Sequence, residues 1–355
     1  MNSKRIYLSY SRTRKLKKVA VVILNYNGVS FLEKFLPNVI EKTAMDAELW
    51  VADNNSLDGS VEYLTEHFPD INLVENLYNG GFATGYNMAL SKIDADYYVL
   101  LNSDIEVTDN WINPVVELME SYPKIAVCQP KILDYYNRNE FEYAGASGGF
   151  IDKYGYPFCR GRVFQSIEKD IGQYEDPVEV FWATGACMFV KADVYHKYGG
   201  LDDDFFAHME EIDFCWRLKN EDYKIMVCPA SVVYHVGGGT LPKKSARKTY
   251  LNFRNNFSLL FKNLPKEKLF ITFLVRLFLD GIAGLKFLFE GDFQDLTAVI
   301  QAHLYFYRNY GKLKKKRKNL KQKHVSEIYN GSIVYEHYVL GRKKYSNLDQ
   351  ERFDQ

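Results

Sequence analysis

Asp53 and Asp104 each close an apolar run, in Leu49-Trp50-Val51-Ala52-Asp53 and Leu100-Leu101-Asn102-Ser103-Asp104. At the end of a strand, Asp53 can accept hydrogen bonds from a nucleobase or ribose. Asp104 in the same setting offers one hard oxygen ligand for Mg2+ or Mn2+. Either aspartate alone also suits a helix N-cap, but two at equivalent strand ends of one sheet point to a site. Glu210, Glu211 and Asp213 head an amphipathic stretch between Phe205, Phe206, Phe214 and Trp216. Carboxylates there can merely favour the helix dipole; adjacent ones among aromatic rings also suit a general base of raised pKa. His235 lies beside Gly237-Gly238-Gly239 after a strand-like run, a better metal-ligand candidate than most lone histidines. Asn79-Gly80-Gly81-Phe82-Ala83-Thr84-Gly85-Tyr86-Asn87 has no G-x-G-x-x-G fingerprint and no Walker lysine, so a dinucleotide or P-loop reading fails. It is either a strand-to-helix turn needing positive φ at Gly80 or Gly81, or a helix N-terminus meeting an anion.

The elements that must position these residues alternate in period. Val19–Leu24, Leu49–Ala52, Ile71–Val74, Tyr97–Leu101 and Ile125–Cys128 are short apolar runs suited to buried strands. Between them, helical spacing predicts helices over Phe31–Ile40, Asp58–His67, about 81–90 and Asp109–Ser121. Strand, loop, helix, strand, repeated four times, is the pattern of a mostly parallel α/β sheet with helices on its faces. Ligands bind such sheets at the carboxyl ends of the strands, and the polar clusters at 25–28, 53–60, 79–87 and 102–104 all fall there. The middle third is less regular, with a strand at Val178–Phe181, a helix over Glu210–Asn220 and a strand at Ile225–Cys228.

With 355 residues, 47% of them apolar, the chain can bury a sizeable core, and 45 basic residues balance 45 acidic ones. That balance argues against a nucleic-acid partner, which would call for a net basic surface. Cys128, Cys159, Cys187, Cys215 and Cys228 are odd in number and contain no C-x-x-C pair. They fit reduced thiols in a cytosolic protein better than a disulfide framework or a zinc site. Residues 1–18 carry seven basic and no acidic side chains, read as a flexible arm, and no secretory signal follows.

The segments VVILNYNG (21–28), VADNNSLDGS (51–60), NGGFATGYN (79–87), LLNSDIEV (100–107), WATGACMFV (182–190), MEEIDFCWR (209–217) and YHVGGGT (234–240), in that order, resemble the family 2 inverting glycosyltransferases of GT-A fold, in particular their rhamnosyltransferase-like bacterial branch. The resemblance covers about 19–240 and extends loosely into the FRNN segment after 250. It implies a GT-A catalytic domain over 19–245, with a nucleotide-binding half at 19–130 and an acceptor half at 131–245. It further implies that Asn25, Tyr26 and Asn27 line the nucleotide pocket, with Asp53 holding base or ribose and Asn55 and Asn102 nearby. The turn from Asn79 through Gly80 and Gly81 to Asn87 would close over nucleotide and sugar. Trp182, Trp216 and His208 would be sugar-platform candidates, Trp216 being better suited to a core. Asp104 would be the metal ligand of the family's D-x-D motif. Asn102 stands at its first acidic position, which leaves His235 as second metal ligand or diphosphate contact, with Mg2+ or Mn2+ as cofactor. Where the family has Glu-Asp this chain has Glu210-Glu211; the second, Glu211, would be the base, and Glu210 the alternative.

The expected reaction moves one sugar from a nucleotide-sugar, with dTDP-rhamnose the family-level expectation, to a polyprenyl-linked or growing glycan acceptor. A nucleotidyltransferase would want a basic Gly-rich loop for triphosphate, and Asn25–Gly28 offers none. The non-enzyme alternative is an inactive homologue serving as a membrane scaffold, for which the missing acid at Asn102 is the argument. From 246 onward a helical region is expected, first apolar (Leu269–Phe289, interrupted by Arg276, Asp280 and Lys286; then Leu296–Tyr307), then basic, with eight Lys/Arg in Gly311–His324. One or two amphipathic helices lying on the inner membrane surface or docked on the catalytic domain fit this pattern better than a span, and the basic run would attract anionic headgroups or else form a solvated helix face. The location expected is cytoplasmic, peripheral to the cytoplasmic membrane.

Overall fold

The computed structural model describes residues 17–44, 46–237 and 245–354; most of the N-terminal arm and Gly238–Thr240 of the glycine run lie outside them. The strands are β1 (Val19–Asn25), β2 (Glu48–Asp53), β3 (Asn72–Glu75), β4 (Tyr97–Asn102), β5 (Ile105–Val107), β6 (Ile125–Asp134), β7 (Gly149–Asp152), β8 (Pro157–Cys159), β9 (Arg162–Val163), β10 (Ser166–Ile167), β11 (Val178–Val180), β12 (Cys187–Lys191), β13 (Lys224–His235) and β14 (Ile328–Tyr329). The helices are α1 (Val29–Thr43), α2 (Ser60–His67), α3 (Gly81–Leu90), α4 (Asn113–Ser121), α5 (Ala192–Lys197), α6 (Glu210–Lys219), α7 (Ala246–Asn263), α8 (Lys266–Phe289), α9 (Phe293–Arg308), α10 (Tyr310–Lys318) and α11 (Ile333–Tyr338).

Among the described residues, nine strands form one sheet in the order β11-β13-β6-β12-β4-β1-β2-β3, with β5 paired to β13. The alternation along β1 shows why it is a central strand. Val19, Val21 and Ile23 join one core cluster with Leu32, Leu36, Leu64 and Val115, while Ala20 and Val22 join the other with Ala83, Tyr86, Phe214 and Leu259. Helices therefore cover both faces, as an apolar strand without alternation requires.

The parallel run β3-β2-β1-β4 matches the expectation. It stops there, because β12 enters antiparallel between β4 and β6. A long irregular excursion precedes β12, and so frees it from the hand of a βαβ crossover. Two further boundaries differ. Helix α4 starts only at Asn113, because Pro114 occupies its first turn. Strand β6 runs on to Asp134 because β13 pairs alongside it, with a register shift between Cys228 and Val232. That extension carries His235 beside Ile105, one residue beyond Asp104.

A smaller sheet, β10-β9-β8-β7-β14, packs beside the first. Its last strand comes from near the C-terminus, and Tyr329, Tyr345 and Phe353 pack edge-on or tilted against Phe150 and Phe158. The region from 246 is thus continuously helical only as far as about 318; beyond that, β14, the short α11 and the rings of Tyr345 and Phe353 complete a sheet of the preceding half. Among the described residues no helix is long and apolar enough to cross a membrane. All five cysteines are free and buried.

Candidate functional site

The β1–β2 register places Asn25 opposite Asp53, and the Asn25 amide donates to Asp53 Oδ1 at 3.0 Å. Asp53 Oδ2 accepts from the Ser56 N–H at 2.8 Å, folding loop 53–56 back on its own strand. Ser56 Oγ in turn accepts from the Asn27 N–H, and Asn27 Oδ1 from the Leu57 N–H. Asn27 and Asn55 both hold positive φ (48° and 64°), a conformation asparagine tolerates better than most residues. The ring of Tyr26 and the side chain of Asn55 are exposed at the mouth of this pair of loops.

The Asn79 turn is built on amides. Asn79 Oδ1 accepts from Asn54 Nδ2 and from the Gly81 N–H, while Asn76 reaches Asn54 and the Gly85 carbonyl. Gly81 has φ +79°, and a Cβ there would stand 2.4 Å from the Phe206 carbonyl oxygen. That carbonyl accepts the Phe82 N–H at 2.6 Å, so the turn is locked to the loop that precedes α6. In that loop Phe206, His208 and Met209 all have positive φ. Each such residue costs about 1–3 kcal/mol and persists only where surroundings over-determine it. Here α7 does so: Asn255 Nδ2 donates to the carbonyls of Phe205, Ala207 and His208, and Arg254 to those of Asp204 and Phe205.

Asp104 and His235 meet. His235 Nε2 lies 3.1 Å from Asp104 Oδ1 and 3.3 Å from the Asn102 side-chain amide, all near the carboxyl end of β4. On its other side, His235 Nδ1 is 3.4 Å from Glu142, and both side chains are buried. Burial alone would push the imidazole down, but Glu142 and Asp104 together hold it up at about 10. Burial pulls Asp104 up as well; the charged His235 outweighs it and keeps the carboxyl below its ordinary value. Asp104, His235 and Asn102 converge within hydrogen-bond distance, but with His235 charged only the Asp104 carboxylate is a ready ligand for Mg2+ or Mn2+, and a cation would have to displace the imidazole proton before His235 could join it. The described residues hold no cluster of three or more His, Cys, Asp or Glu able to cage an ion by themselves. An ion here would complete its shell from water or a bound diphosphate.

Glu210 and Glu211 open α6. Glu210 is buried and Glu211 half-buried, and one carboxylate oxygen of each lacks a hydrogen-bond partner. Burial raises Glu211 to about 7 against the pull of backbone N–H groups at the helix start. Burial and the neighbouring Glu211 charge raise Glu210 well above the carboxylate range. Asp213, by contrast, is fully committed to Arg217, Lys262 and Asn263. The head of α6 thus carries two carboxyl groups with unspent acceptor capacity, of which Glu211, at about 7, can take a proton near neutrality.

Two expected ligand contacts are corrected. Trp182 is buried with its ring against Gly149 and its Nε1 donating to the Phe150 carbonyl, so it packs between the two sheets and offers no open face. Asn87 spends both amide hydrogens on Leu201 O and Asp203, and its oxygen on Tyr195 and the Leu201 N–H, which makes it an internal tie. Trp216 is core, as expected of it. The sequence reading missed Glu142, Arg254 and Asn255. Glu142 lies in an irregular loop with no period to flag it; the FRNN segment (253–256) was a signal that pointed to Arg254 and Asn255.

The family model for glycosyl transferase family 2 matches residues 20–199. The chain is similar to the low-salt glycan biosynthesis hexosyltransferase Agl10 of Haloferax volcanii, 25% identical over 264 residues covering 71% of this chain and 80% of that protein. It is also similar to the N-acetylglucosaminyl-diphospho-decaprenol L-rhamnosyltransferase of Mycobacterium tuberculosis, 23% identical over 230 residues, 61% of this chain and 75% of that protein. Among solved structures, GalNAc-T7 with UDP, GalNAc and Mn2+ superposes with a TM-score of 0.55 at 16% identity, over 72% of this chain. This chain spans only 49% of that one. The mannosyltransferase PcManGT from Pyrobaculum calidifontis, in complex with GDP-Man and Mn2+, gives 0.51 at 16% identity, over 82% of this chain and 75% of that one. At such identities the likeness is one of fold, in line with the α/β GT-A-like architecture above.

Proposed function

Because the chain belongs to glycosyl transferase family 2, we propose that it transfers one sugar at a time, with inversion, from a nucleotide-sugar to a polyprenyl-linked or growing polysaccharide acceptor. The observation that carries this reading is the head of α6. Glu211 presents a carboxylate oxygen without a partner, is raised to about 7, and follows a strained loop locked to the Asn79 turn. A base poised there removes the proton from an acceptor hydroxyl as that oxygen attacks the anomeric carbon from the face opposite the leaving group.

The nucleotide would lie across the carboxyl ends of β1, β2 and β4. Asn25, Tyr26, Asn27, Asp53 and Asn55 would form its base and ribose pocket, and Asn79, Gly80 and Gly81 would lie over the sugar. Asp104 and His235, with Asn102 beside them, would hold a Mg2+ or Mn2+. Such an ion offsets charge on a departing nucleoside diphosphate. One relative named for N-acetylglucosaminyl-diphospho-decaprenol and another named for glycan biosynthesis support a lipid-linked or glycan acceptor, and the rhamnosyltransferase among them makes dTDP-rhamnose the first donor to try.

Purified protein scanned with dTDP-, UDP- and GDP-sugars and either metal tests this. We expect one donor to turn over, and both Glu211→Gln and Asp104→Ala to lower kcat/KM by about 10²–10⁴-fold. Turnover that survives Glu211→Gln would move the base to Glu210, since Asp213 is spent on Arg217, Lys262 and Asn263. Failure to bind any of the three nucleoside diphosphates in calorimetry would sink the reading.

A further inference from the structure

Helix α8 is amphipathic the wrong way round for a helix that packs on a protein. Its buried residues are Thr272, Arg276, Asp280 and Gly284, one residue per turn on a single side. Arg276 donates to Asp280 and to the carbonyl of Tyr154, and also pairs with Asn256; Asp280 is met by Tyr156 and His303. The polar stripe is therefore spent inward, on α7, α9 and the loop after β7. The opposite side of the same helix carries Phe270, Ile271, Leu274, Phe278, Leu285 and Phe289, each between half and almost fully exposed. From Phe270 to Phe289 the only charged residues are Arg276, Asp280 and Lys286. At 3.6 residues per turn, about 100° each, Lys286 falls at the edge of the apolar arc and the other two on the far side.

This is a contiguous apolar strip along a 24-residue helix, roughly 36 Å long at 1.5 Å per residue. Solvated proteins seldom expose such strips without a partner. The charge around it says which partner. Helix α10 packs on α7 and α9, and its Leu313 joins one apolar cluster with Leu269 and Phe273 near the start of α8. Five of the eight cations in 311–324 are turned back onto the protein. Lys312 and Lys316 pair with Asp202 and Asp204, Lys321 with Glu221, Lys323 with Asp222, and Arg317 donates to the Phe261 carbonyl. Lys314, Lys315 and Lys318 are exposed and form no ion pair among the described residues. An apolar strip with exposed lysines on another helix of the same bundle matches an anionic bilayer surface, where acyl chains take the strip and headgroups the lysines.

We propose that α8 lies in the plane of an anionic membrane, with its Phe270–Phe289 face in the headgroup–acyl boundary and α10 over the headgroups. A span is not needed: Arg276 and Asp280 stay on the protein side, already paired. This deepens the reading above by stating where a lipid-linked acceptor would be met, and rests on that reading only for the acceptor.

The test is flotation of the full chain with phosphatidylcholine vesicles, with and without phosphatidylglycerol, alongside donor hydrolysis in detergent-free buffer. We expect binding to the mixed vesicles, weakened by salt. In the double variant L274E/F278E, both changes on exposed positions, binding should fall by roughly tenfold or more while hydrolysis is kept. A second variant, K314E/K315E, should lose the preference for phosphatidylglycerol. Absence of flotation in the parent chain overturns the proposal, as does a dimer in gel filtration that L274E/F278E dissolves while flotation is unchanged. Failure of donor hydrolysis with flotation intact would count against the enzyme reading and leave the membrane face standing.

Discussion

Glu211 sits where two opposing effects can be compared. Backbone N–H groups at the start of α6 favour its charge, as does the helix dipole, an effect of at most about 1–2 kcal/mol. Burial acts the other way and wins, raising it to about 7. As a base it must be ionised, so kcat/KM should rise with pH through about 7, and Glu211→Gln should flatten that limb; stopped assays across the range will show it. Stability has the opposite sign. A carboxyl whose folded pKa lies above its unfolded 4.5 favours folding fully below about 4.5 and loses that contribution as pH rises towards 7. The acids at strand ends were legible because their chemistry shows in type and position. Trp182 was misread because an indole looks alike as a sugar platform and as core; only its packing on Gly149, distant in sequence, separates the two. Glu142 left no trace at all, since its role depends on β13 bringing His235 alongside.

At the scale of elements, the loop 205–209 and α7 form one device. Three positive-φ residues in a row of four would relax if the carbonyls they display lost their donors. Asn255→Ala removes three of those donations. The Phe205 carbonyl keeps its donor in Arg254, so two carbonyls lose theirs at about 1–3 kcal/mol each, against the roughly 5–15 kcal/mol that a folded protein holds. We expect Asn255→Ala to fold, to keep nucleotide binding within a few-fold, and to lose kcat by about tenfold or more. Retained kcat in a folded variant would reduce Asn255 to scaffolding. The apolar character of α8 and the Arg276–Asp280 pairing could be read from spacing alone. Which side faces inward could not, because a helix with a charged stripe and an apolar stripe is ordinarily turned the other way.

Over the whole molecule, the parallel half of the sheet was legible because each strand is followed by its own helix, within local range. The antiparallel β12 and the second sheet were not, since both depend on pairings across long irregular stretches. The expected boundary near 245 follows the end of the large sheet, but the polar network ignores it. Asp202, Asp213 and Asp204 are all neutralised by lysines from beyond it. These contacts make the helices from α7 to α10 part of the wall behind the site.

The pairing of β14 with β7 sets an order of events during synthesis. When the ribosome has released β7 and β8, their edge and the rings of Phe150 and Phe158 have no cover, because Tyr329, Tyr345 and Phe353 are still to be made. The half that carries Glu142 must therefore wait in a half-finished state, with an unpaired strand edge of the kind that seeds association between chains. A chain stopped at about residue 324 never leaves that state. It should express mainly as aggregate, seen as light scattering during refolding, and supplying residues 325–354 as a separate peptide should suppress it.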